Sequence, residues 1–232
     1  MSARNVRTWG QAMFLAGLLA AGLLSWETAR ARAFPSSGII SFDVARDGVP
    51  GLGHHHVTFR HEGRDLIVDT LIRYRVRLAF ITLFRYEHSS REVWRGGRLM
   101  AVEGKTHDNR RDHWMRGHAV AEGFRVEGSR GSFIAPADVI PASHWNVAMV
   151  GARQLLDTQR GLLMDVRVRD AGREKVEAGG RTIRAKRYRV EFLSNAPRAT
   201  KWADIWYDEG GNWVKLAFEA RKSTIVYRLK PA

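Results

Sequence analysis

Three consecutive histidines, His54, His55 and His56, are the first residues of this chain whose types suggest chemistry. On a β-strand, His54 and His56 would point to the same side, where paired imidazoles often bind a transition metal. A metal site also needs a third ligand, and the neighbouring sequence supplies none at a recognised spacing. We therefore expect exposed histidines at a strand edge, with weak metal binding as the alternative, and we predict no metal site and no cofactor.

A looser group of polar residues contains His107, Asp108, His113 and His118. The segment between them reads as the polar tip of a hairpin, so two of the histidines could meet across strands. No spacing in the group matches a known metal motif, and a functional metal is the minor alternative here.

The run Ser143-His144-Trp145-Asn146 combines a hydroxyl, an imidazole, an indole and an amide, and Asp138 lies shortly before it. A Ser/His/Asp set suggests acyl transfer, but adjacent positions give a nucleophile and its base poor geometry, and no G-x-S-x-G turn is present. We expect the capped start of a short helix with Trp145 in the core. The alternative is the polar rim of a cavity that holds an apolar ligand.

Aromatic residues crowd the next-to-last predicted hairpin, which contains Trp202, Trp206, Tyr207 and Trp213. Such a cluster can bind a sugar or another ring. It more often provides cross-strand and core packing, which is the interpretation that we favour.

Strands must position these residues, because the dominant hydrophobic period is two. In residues 72–78 (IRYRVRL), apolar side chains alternate with Arg73, Arg75 and Arg77, which is typical of a half-buried antiparallel strand. Glycine turns recur at short, even intervals. The pattern predicts an all-β fold with one or two short helices: a strongly curved antiparallel meander that forms an open or half β-barrel. The clearest helix candidate covers residues 144–153, with Ser143 as a plausible N-cap.

Two segments depart from the alternation. Residues 78–84 (LAFITLF) are apolar on both faces of a strand, so we expect them to be buried or to face an internal cavity. Residues 129–143 contain two prolines and no clear period, which predicts a loop that crosses between an N-terminal and a C-terminal group of strands.

The first thirty-three residues read as an export signal. Arg4 and Arg7 precede an apolar run at residues 12–24, and Ala31-Arg32-Ala33 has the small-x-small pattern of a cleavage site. The run is shorter than the roughly 20 residues of a membrane-spanning helix. We expect cleavage after Ala33, a periplasmic location, and a single β-rich domain at residues 34–232. An uncleaved N-terminal anchor is the alternative.

The amino-acid composition excludes several kinds of functional site. The chain has no cysteine, which excludes a thiol nucleophile, a thiolate metal site and disulfides. It carries 38 Lys+Arg against 24 Asp+Glu. Scattered basic residues that keep the protein soluble explain this balance, and an anionic membrane surface is the alternative partner. We expect no nucleic-acid binding, because no recognition motif is present.

The chain resembles a group of uncharacterised exported proteobacterial proteins that are known only as a domain of unknown function. The resemblance covers residues 37–230 and rests on four segments: residues 40–48 (ISFDVARDG), 80–94 (FITLFRYEHSSREVW), 140–146 (IPASHWN) and 204–229 (DIWYDEGGNWVKLAFEARKSTIVYRL). More remotely, the chain is similar to the lipoprotein carriers of the bacterial envelope. That likeness implies an open, curved sheet around an apolar cavity closed by short helices.

The leading hypothesis is an exported envelope protein that binds a lipid or another apolar ligand in the cavity of the curved sheet. The candidate lining residues are Phe80, Ile81, Leu83, Phe84, His144, Trp145 and Asn146. The alternative is a non-catalytic structural or interaction protein of the envelope, with a filled core. An enzyme that uses His144 with Asn146, or a metal held by histidines, is the third hypothesis, and we predict no catalytic residue.

Overall fold

A computed structural model describes residues 37–78, 81–195, 200–220 and 222–231. The predicted export signal, residues 1–33, lies outside the described residues. Among the residues that are described, no helix is long and apolar enough to cross a membrane.

The described chain is almost entirely β-structure. Its strands are β1 (Ile39–Arg46), β2 (Val49–Glu62), β3 (Asp65–Leu78), β4 (Ile81–Arg95), β5 (Arg98–Asp108), β6 (Arg111–Val120), β7 (Gly123–Gly128), β8 (Gly131–Ala135), β9 (Ile140–Pro141), β10 (Gln154–Asp157), β11 (Leu162–Ala178), β12 (Arg181–Phe192), β13 (Trp202–Asp208), β14 (Trp213–Ala220) and β15 (Ser223–Leu229). One 3-10 helix, Val147–Gly151, lies between β9 and β10.

These strands form one sheet in which neighbours along the chain are neighbours in space. The order runs from β8 back to β1, then from β15 back to β9, so β1 pairs with β15 at the centre. All pairs are antiparallel except β9 with β10. The two edge strands, β8 and β9, are separated by only four residues, which can span no more than about 18 Å. The sheet is therefore strongly curved and its edges approach each other, as the predicted open antiparallel meander requires.

Alternation along each strand sets the inner and outer faces of this sheet. On β3, Ile72 is buried and Tyr74 and Val76 are partly buried, while Arg73 and Arg75 are exposed. The predicted half-buried strand is confirmed for these residues. Apolar residues from both halves of the sheet meet inside the curve in one continuous core.

The predicted helix at residues 144–153 lies in the right place, but it is shorter than predicted and has a different N-cap residue. Only a 3-10 turn forms, and the side chain of Asn146 caps it by accepting a hydrogen bond from the backbone N–H of Ala148 at 3.1 Å. Ser143 does not serve as the cap. The reason is His144, whose φ of +69° turns the chain into the left-handed region before a helix can begin.

The predicted crossing loop is also shorter than expected. Gly131–Ala135 forms β8, paired with β7, so only residues 136–139 connect the two edges of the sheet. Residues 140–161 then form strands β9 and β10 at the edge of the sheet, the 3-10 helix between them and the turn into β11. We call these residues the plug, because their buried side chains join the core: Trp145, Met149, Leu155 and Leu156.

A second, smaller apolar cluster lies outside the main core. Strand β11 shifts register against β12 between Asp170 and Arg173, and beyond this bulge the β11–β12 hairpin packs against neighbouring strands. The cluster contains Val176, Ala178, Ala185, Trp206 and Val214. The N–H of Gly179 donates to the carbonyl of Leu229 at 3.0 Å, which holds the hairpin end beside β15.

The plug approaches strand β5 so closely at Thr158 that position 104 on this strand must be glycine. A Cβ at Gly104 on β5 would lie 2.2 Å from the backbone oxygen of Thr158. We expect Gly104→Ala to lower the free energy of unfolding by about 1–3 kcal/mol, because the backbone must move. Urea unfolding measures the effect. Gly151→Ala is the matched control, since no atom lies within 4 Å of its added Cβ. Equal stability of the two variants would contradict this packing.

Candidate functional site

A buried carboxylate anchors the plug to the sheet. Glu92 on β4 is fully buried, and its Oε2 accepts hydrogen bonds from the indole N–H groups of Trp94 at 2.8 Å and Trp145 at 3.0 Å. The two indole rings meet edge to face, with centroids 5.6 Å apart. Trp145 also packs edge to face on Phe59 at 5.4 Å. Trp145 is therefore a core residue, as the sequence predicts.

The backbone beside Trp145 has a second anchor. The hydroxyl of Tyr207 on β13 donates to the carbonyl of His144 at 2.7 Å. Burial raises the pKa of Tyr207 well above its ordinary value, so this hydroxyl keeps its proton. The His144 ring packs edge to face on Trp213, with centroids 5.4 Å apart. His144, Trp145 and Asn146, three of the predicted lining residues, thus lie together in the plug.

Further histidines are buried in the interior, and together with His144 we call them the histidine layer. His55 on β2 is 1% exposed and His88 on β4 is 2% exposed. His88 Nδ1 lies 2.9 Å from Thr106 Oγ1, and its Nε2 lies 3.4 Å from Thr158 Oγ1. Neither ring nitrogen of His55 has a hydrogen-bond partner among the described residues. Interior polar groups of this kind are uncommon and costly to leave unpaired.

All three interior histidines are uncharged near neutral pH. Burial lowers the pKa of His88 and of His144 to about 4. Burial lowers the pKa of His55 well below its ordinary value, and repulsion from His144 and His88 adds to the effect. Tyrosines complete the layer: the hydroxyls of Tyr74 and Tyr227 are hydrogen bonded to each other, and Tyr86 stacks on Tyr74.

This layer was not predicted from the sequence. The histidines that were predicted to lie together, His54 and His56, have rings 5.9 Å apart on the outer face, with His56 Nδ1 2.9 Å from Ser41 Oγ. Their strand is not an edge, because β2 lies between β1 and β3. The same alternation that exposes His54 buries His55. Alternation along β4 could have indicated that His88 is buried, because Tyr86 and His88 occupy the same inward-facing set of positions as the core residue Trp94.

Neither histidine group forms a metal site in the part of the chain that is described, where no three potential ligands come together. His107 instead pairs with Asp112, with Nδ1 and Oδ1 2.7 Å apart. His113 lies opposite Thr106 and His118 opposite Ala101 in the register of β5 and β6.

Buried side chains of the plug join the continuous core of the sheet. One enclosed space beside them has a volume of about 10 Å³, and His144 and Met149 help to line it. That volume holds about one water molecule, whereas a lipid tail needs far more room.

The other predicted lining residues lie elsewhere. Phe80 is outside the described residues, and Ile81 begins β4. Leu83 is 54% exposed and Phe84 is partly buried. Leu83 lies eleven positions before Trp94 on the same strand.

A cleft opens beside the start of β11. It has a volume of about 410 Å³ and is lined by Val150, Gly151, Ala152, Arg153, Asp165, Val166, Arg167, Val168 and Leu193. Leu193 is 56% exposed at its rim. Hydrogen bonds from Ser194 and Gln154 lower the pKa of Asp165. The cleft thus combines an apolar wall with two exposed arginines.

The predicted aromatic cluster divides between the two faces of the sheet. Trp213 is in the main core, while Trp206 belongs to the outer cluster and lies beneath the ammonium of Lys215, 4.6 Å from the ring centroid. Trp202 lies beneath the guanidinium of Arg189 at 4.3 Å. Packing and cation–π contacts therefore occupy these rings, as the favoured interpretation predicts.

Comparison with known sequences identifies the family. The profile of the family described as "Domain of unknown function (DUF6134)" matches residues 42–230, which is most of the chain. The chain belongs to this family. No curated protein matches the DUF6134 chain in sequence.

Comparison with solved structures supports the fold. The DUF6134 chain is similar to a β-barrel-like protein of domain of unknown function DUF1849 from Brucella abortus, with a TM-score of 0.63. The match covers 83% of this chain and 95% of that chain at 9% sequence identity. At that identity the likeness concerns the fold alone, and it agrees with the predicted curved, barrel-like sheet.

The neutral interior histidines make the fold sensitive to acid. The unfolded chain protonates its histidines near pH 6.5, whereas His88 in the fold resists protonation until about pH 4. Stability is therefore full above pH 6.5 and falls as the pH drops from 6.5 to 4. His88 alone accounts for a loss of about 3 kcal/mol. Urea unfolding at several pH values measures this slope.

His88→Asn removes this titration, so we expect a shallower loss of unfolding free energy over the same pH window. Ser89→Asn, at the exposed neighbouring position, is the matched control and keeps the wild-type slope. A wild-type slope in His88→Asn would show that His88 does not contribute.

Proposed function

We propose that this DUF6134 protein is an exported, non-catalytic interaction protein of the cell envelope, which meets its partners on its outer surface. The single observation that carries this proposal is the packing of the plug, whose buried side chains join one continuous core. The enclosed space that His144 and Met149 line measures about 10 Å³, whereas pockets for small molecules usually measure about 300–1,000 Å³. The export part of the proposal rests on the leader-like sequence of residues 1–33.

The arrangement of polar residues supports a non-catalytic role. His88 and Ser143 are buried among core residues, where a substrate does not reach them. His144 contacts Trp213, and its backbone is held by Tyr207. A general base must lie within hydrogen-bond reach of a reacting group, and these residues are enclosed by their own protein.

Native mass spectrometry with solvent extraction tests the filled interior on protein recovered from the periplasm. We expect a mass without a co-purifying lipid, and a polypeptide that begins at Phe34. A lipid bound in one-to-one ratio that is also retained by the cleft variant Arg153→Glu with Leu193→Asp would overturn the proposal and restore the carrier hypothesis. Recovery of the chain from the cytoplasm, with residues 1–33 retained, would overturn the export part separately.

A second candidate function is supported by the cleft beside β11. Its volume of about 410 Å³ falls in the range of small-molecule sites, and its wall is apolar with Arg153 and Arg167 nearby. This combination fits an apolar ligand that carries a negative charge, such as a fatty acid. Apolar-ligand binding thus remains a prediction, at the surface instead of inside the curve.

Titration with a fluorescent fatty acid tests this cleft. We expect Arg153→Glu with Leu193→Asp to weaken binding about tenfold or more, because both the charge and the apolar contact are lost. Ile134→Asp, which changes an exposed apolar residue on β8, is the matched control. Equal affinity in the wild type and the cleft variant would exclude the site.

A further inference from the structure

A stretch of strand β11 beside the cleft lacks a neighbouring strand on one side. Strand β10 pairs with β11 over residues 162–165, and the N–H of Val166 donates to the carbonyl of Arg153 at 2.8 Å. Beyond Val166, no strand of the described residues pairs with β11 on this side, while β12 pairs with its other side. We call residues 167–170 the open edge.

The backbone groups of Val168 point to this open side. The N–H and C=O groups along an antiparallel strand turn alternately to its two neighbours, with a period of two residues. Because Val166 bonds to Arg153, Val168 and Asp170 also direct their backbone groups away from β12. Val168 lines the cleft, so backbone groups without a strand partner lie in the wall of the cleft.

The edge is left open because the chain enters β10 from the 3-10 helix. That helix ends at Gly151, and the N–H of Ala152 donates to the carbonyl of Met149 at 3.1 Å. A straight continuation of β10 beyond Arg153 would lie along the open edge, whereas the helix takes the chain away from it. The cleft of about 410 Å³ occupies this place. Unpaired strand edges of this kind are sites at which a further strand can add.

Alternation along the open edge gives it an apolar side and a basic side. Val168 lies opposite Val190 in the sheet and packs against the main core. Arg167 and Arg169 point outward, with side chains that are 57% and 59% exposed. They share one carboxylate, that of Glu191, at 3.6 and 3.3 Å. A strand that adds here therefore meets apolar contacts on its inner face and guanidinium groups on its outer face.

The other charged groups at the cleft leave an excess of positive charge. Arg153 is exposed in the cleft wall. Asp165 is the second carboxylate there, and it accepts a hydrogen bond from the neutral hydroxyl of Ser194 at 2.6 Å. Asp170 forms an ion pair with Lys186 at 2.8 Å, so these two charges cancel. Three guanidinium groups thus face two carboxylates, which favours acidic side chains on a partner.

We propose that the open edge binds an extended peptide segment of another protein, which adds as a strand in line with β10 and alternates apolar with acidic side chains. Its backbone pairs with that of Val168 and Asp170, and its apolar side chains enter the cleft. Its carboxylates meet Arg167 and Arg169. A second copy of this chain does not fit, because antiparallel pairing of two open edges would bring these arginines together. The inference rests on the proposed interaction role and names the class of partner.

Fluorescence anisotropy with a labelled peptide of alternating valine and glutamate tests the charge requirement, and a valine–lysine peptide is its charge-reversed control. We expect the wild type to prefer the valine–glutamate peptide at least about tenfold, and Arg167→Glu with Arg169→Glu to reverse this preference. Arg181→Glu with Arg184→Glu makes the same charge change at exposed positions near the start of β12 and keeps the wild-type preference. Equal affinity for the two peptides, or no saturable binding below about 1 mM, would overturn the proposal.

Backbone pairing is tested separately from charge. Val168→Pro removes an N–H that faces the cleft and not β12, whereas Val168→Ala keeps this group. We expect Val168→Pro to weaken binding of the valine–glutamate peptide about tenfold, and Val168→Ala to weaken it less than about threefold. Equal loss in the two variants would overturn strand addition. N-methylation of alternate peptide bonds in the ligand makes the same test on the wild-type protein, where unchanged affinity would also overturn it.

These outcomes are distinct from those that test the proposed function. A lipid-free mass together with failed peptide binding would overturn only the open edge as a binding site. A retained interior lipid together with successful peptide binding would overturn only the packed interior. Fatty-acid binding at the cleft without peptide binding would overturn this inference and leave the second candidate function standing.

Discussion

The buried Glu92 carboxylate is the constraint on which the interior of this protein depends. Moving a carboxylate out of water costs several kcal/mol unless good donors replace the water. Here two indole N–H groups converge on the same oxygen, one from the wall at Trp94 and one from the plug at Trp145. Displacement of the plug would therefore remove a hydrogen-bond donor from a fully buried carboxyl oxygen. Its position in turn brings His144 against Trp213 and beneath Tyr207.

The plug determines whether the concave face of the curved sheet is open to a ligand. An open half-barrel offers its concave face to a ligand, and the resemblance to lipoprotein carriers implies that use. In this chain, residues 140–161 occupy the concave face with their own side chains. The cleft beside β11 lies outside this packed interior. The fold is shared with the Brucella abortus DUF1849 protein, and a shared fold does not by itself assign a function.

Strand alternation predicts part of the arrangement of the histidines, but it does not predict which of them are buried. Strand alternation correctly places His54 and His56 together on the outer face. The same rule requires His55 to point inward, but its burial depends on which face the sheet closes around. The choice between the faces is made by contacts from β14 and β15, where Trp213 and Tyr227 pack on the His55 ring. These residues are far from His55 in sequence, so no local signal reveals the contact.

The sequence by itself determined the class of fold: a period of two and regularly spaced glycine turns require a long antiparallel meander, and Trp145 reads as a core residue. Only the tertiary structure decided that buried side chains of residues 140–161 join the core and that Leu83 is exposed. The physical reason is that alternation specifies two faces but not their surroundings. Whether an apolar residue faces a core, a cavity or solvent depends on how far each strand extends beyond its neighbours, and register is a property of the assembled sheet.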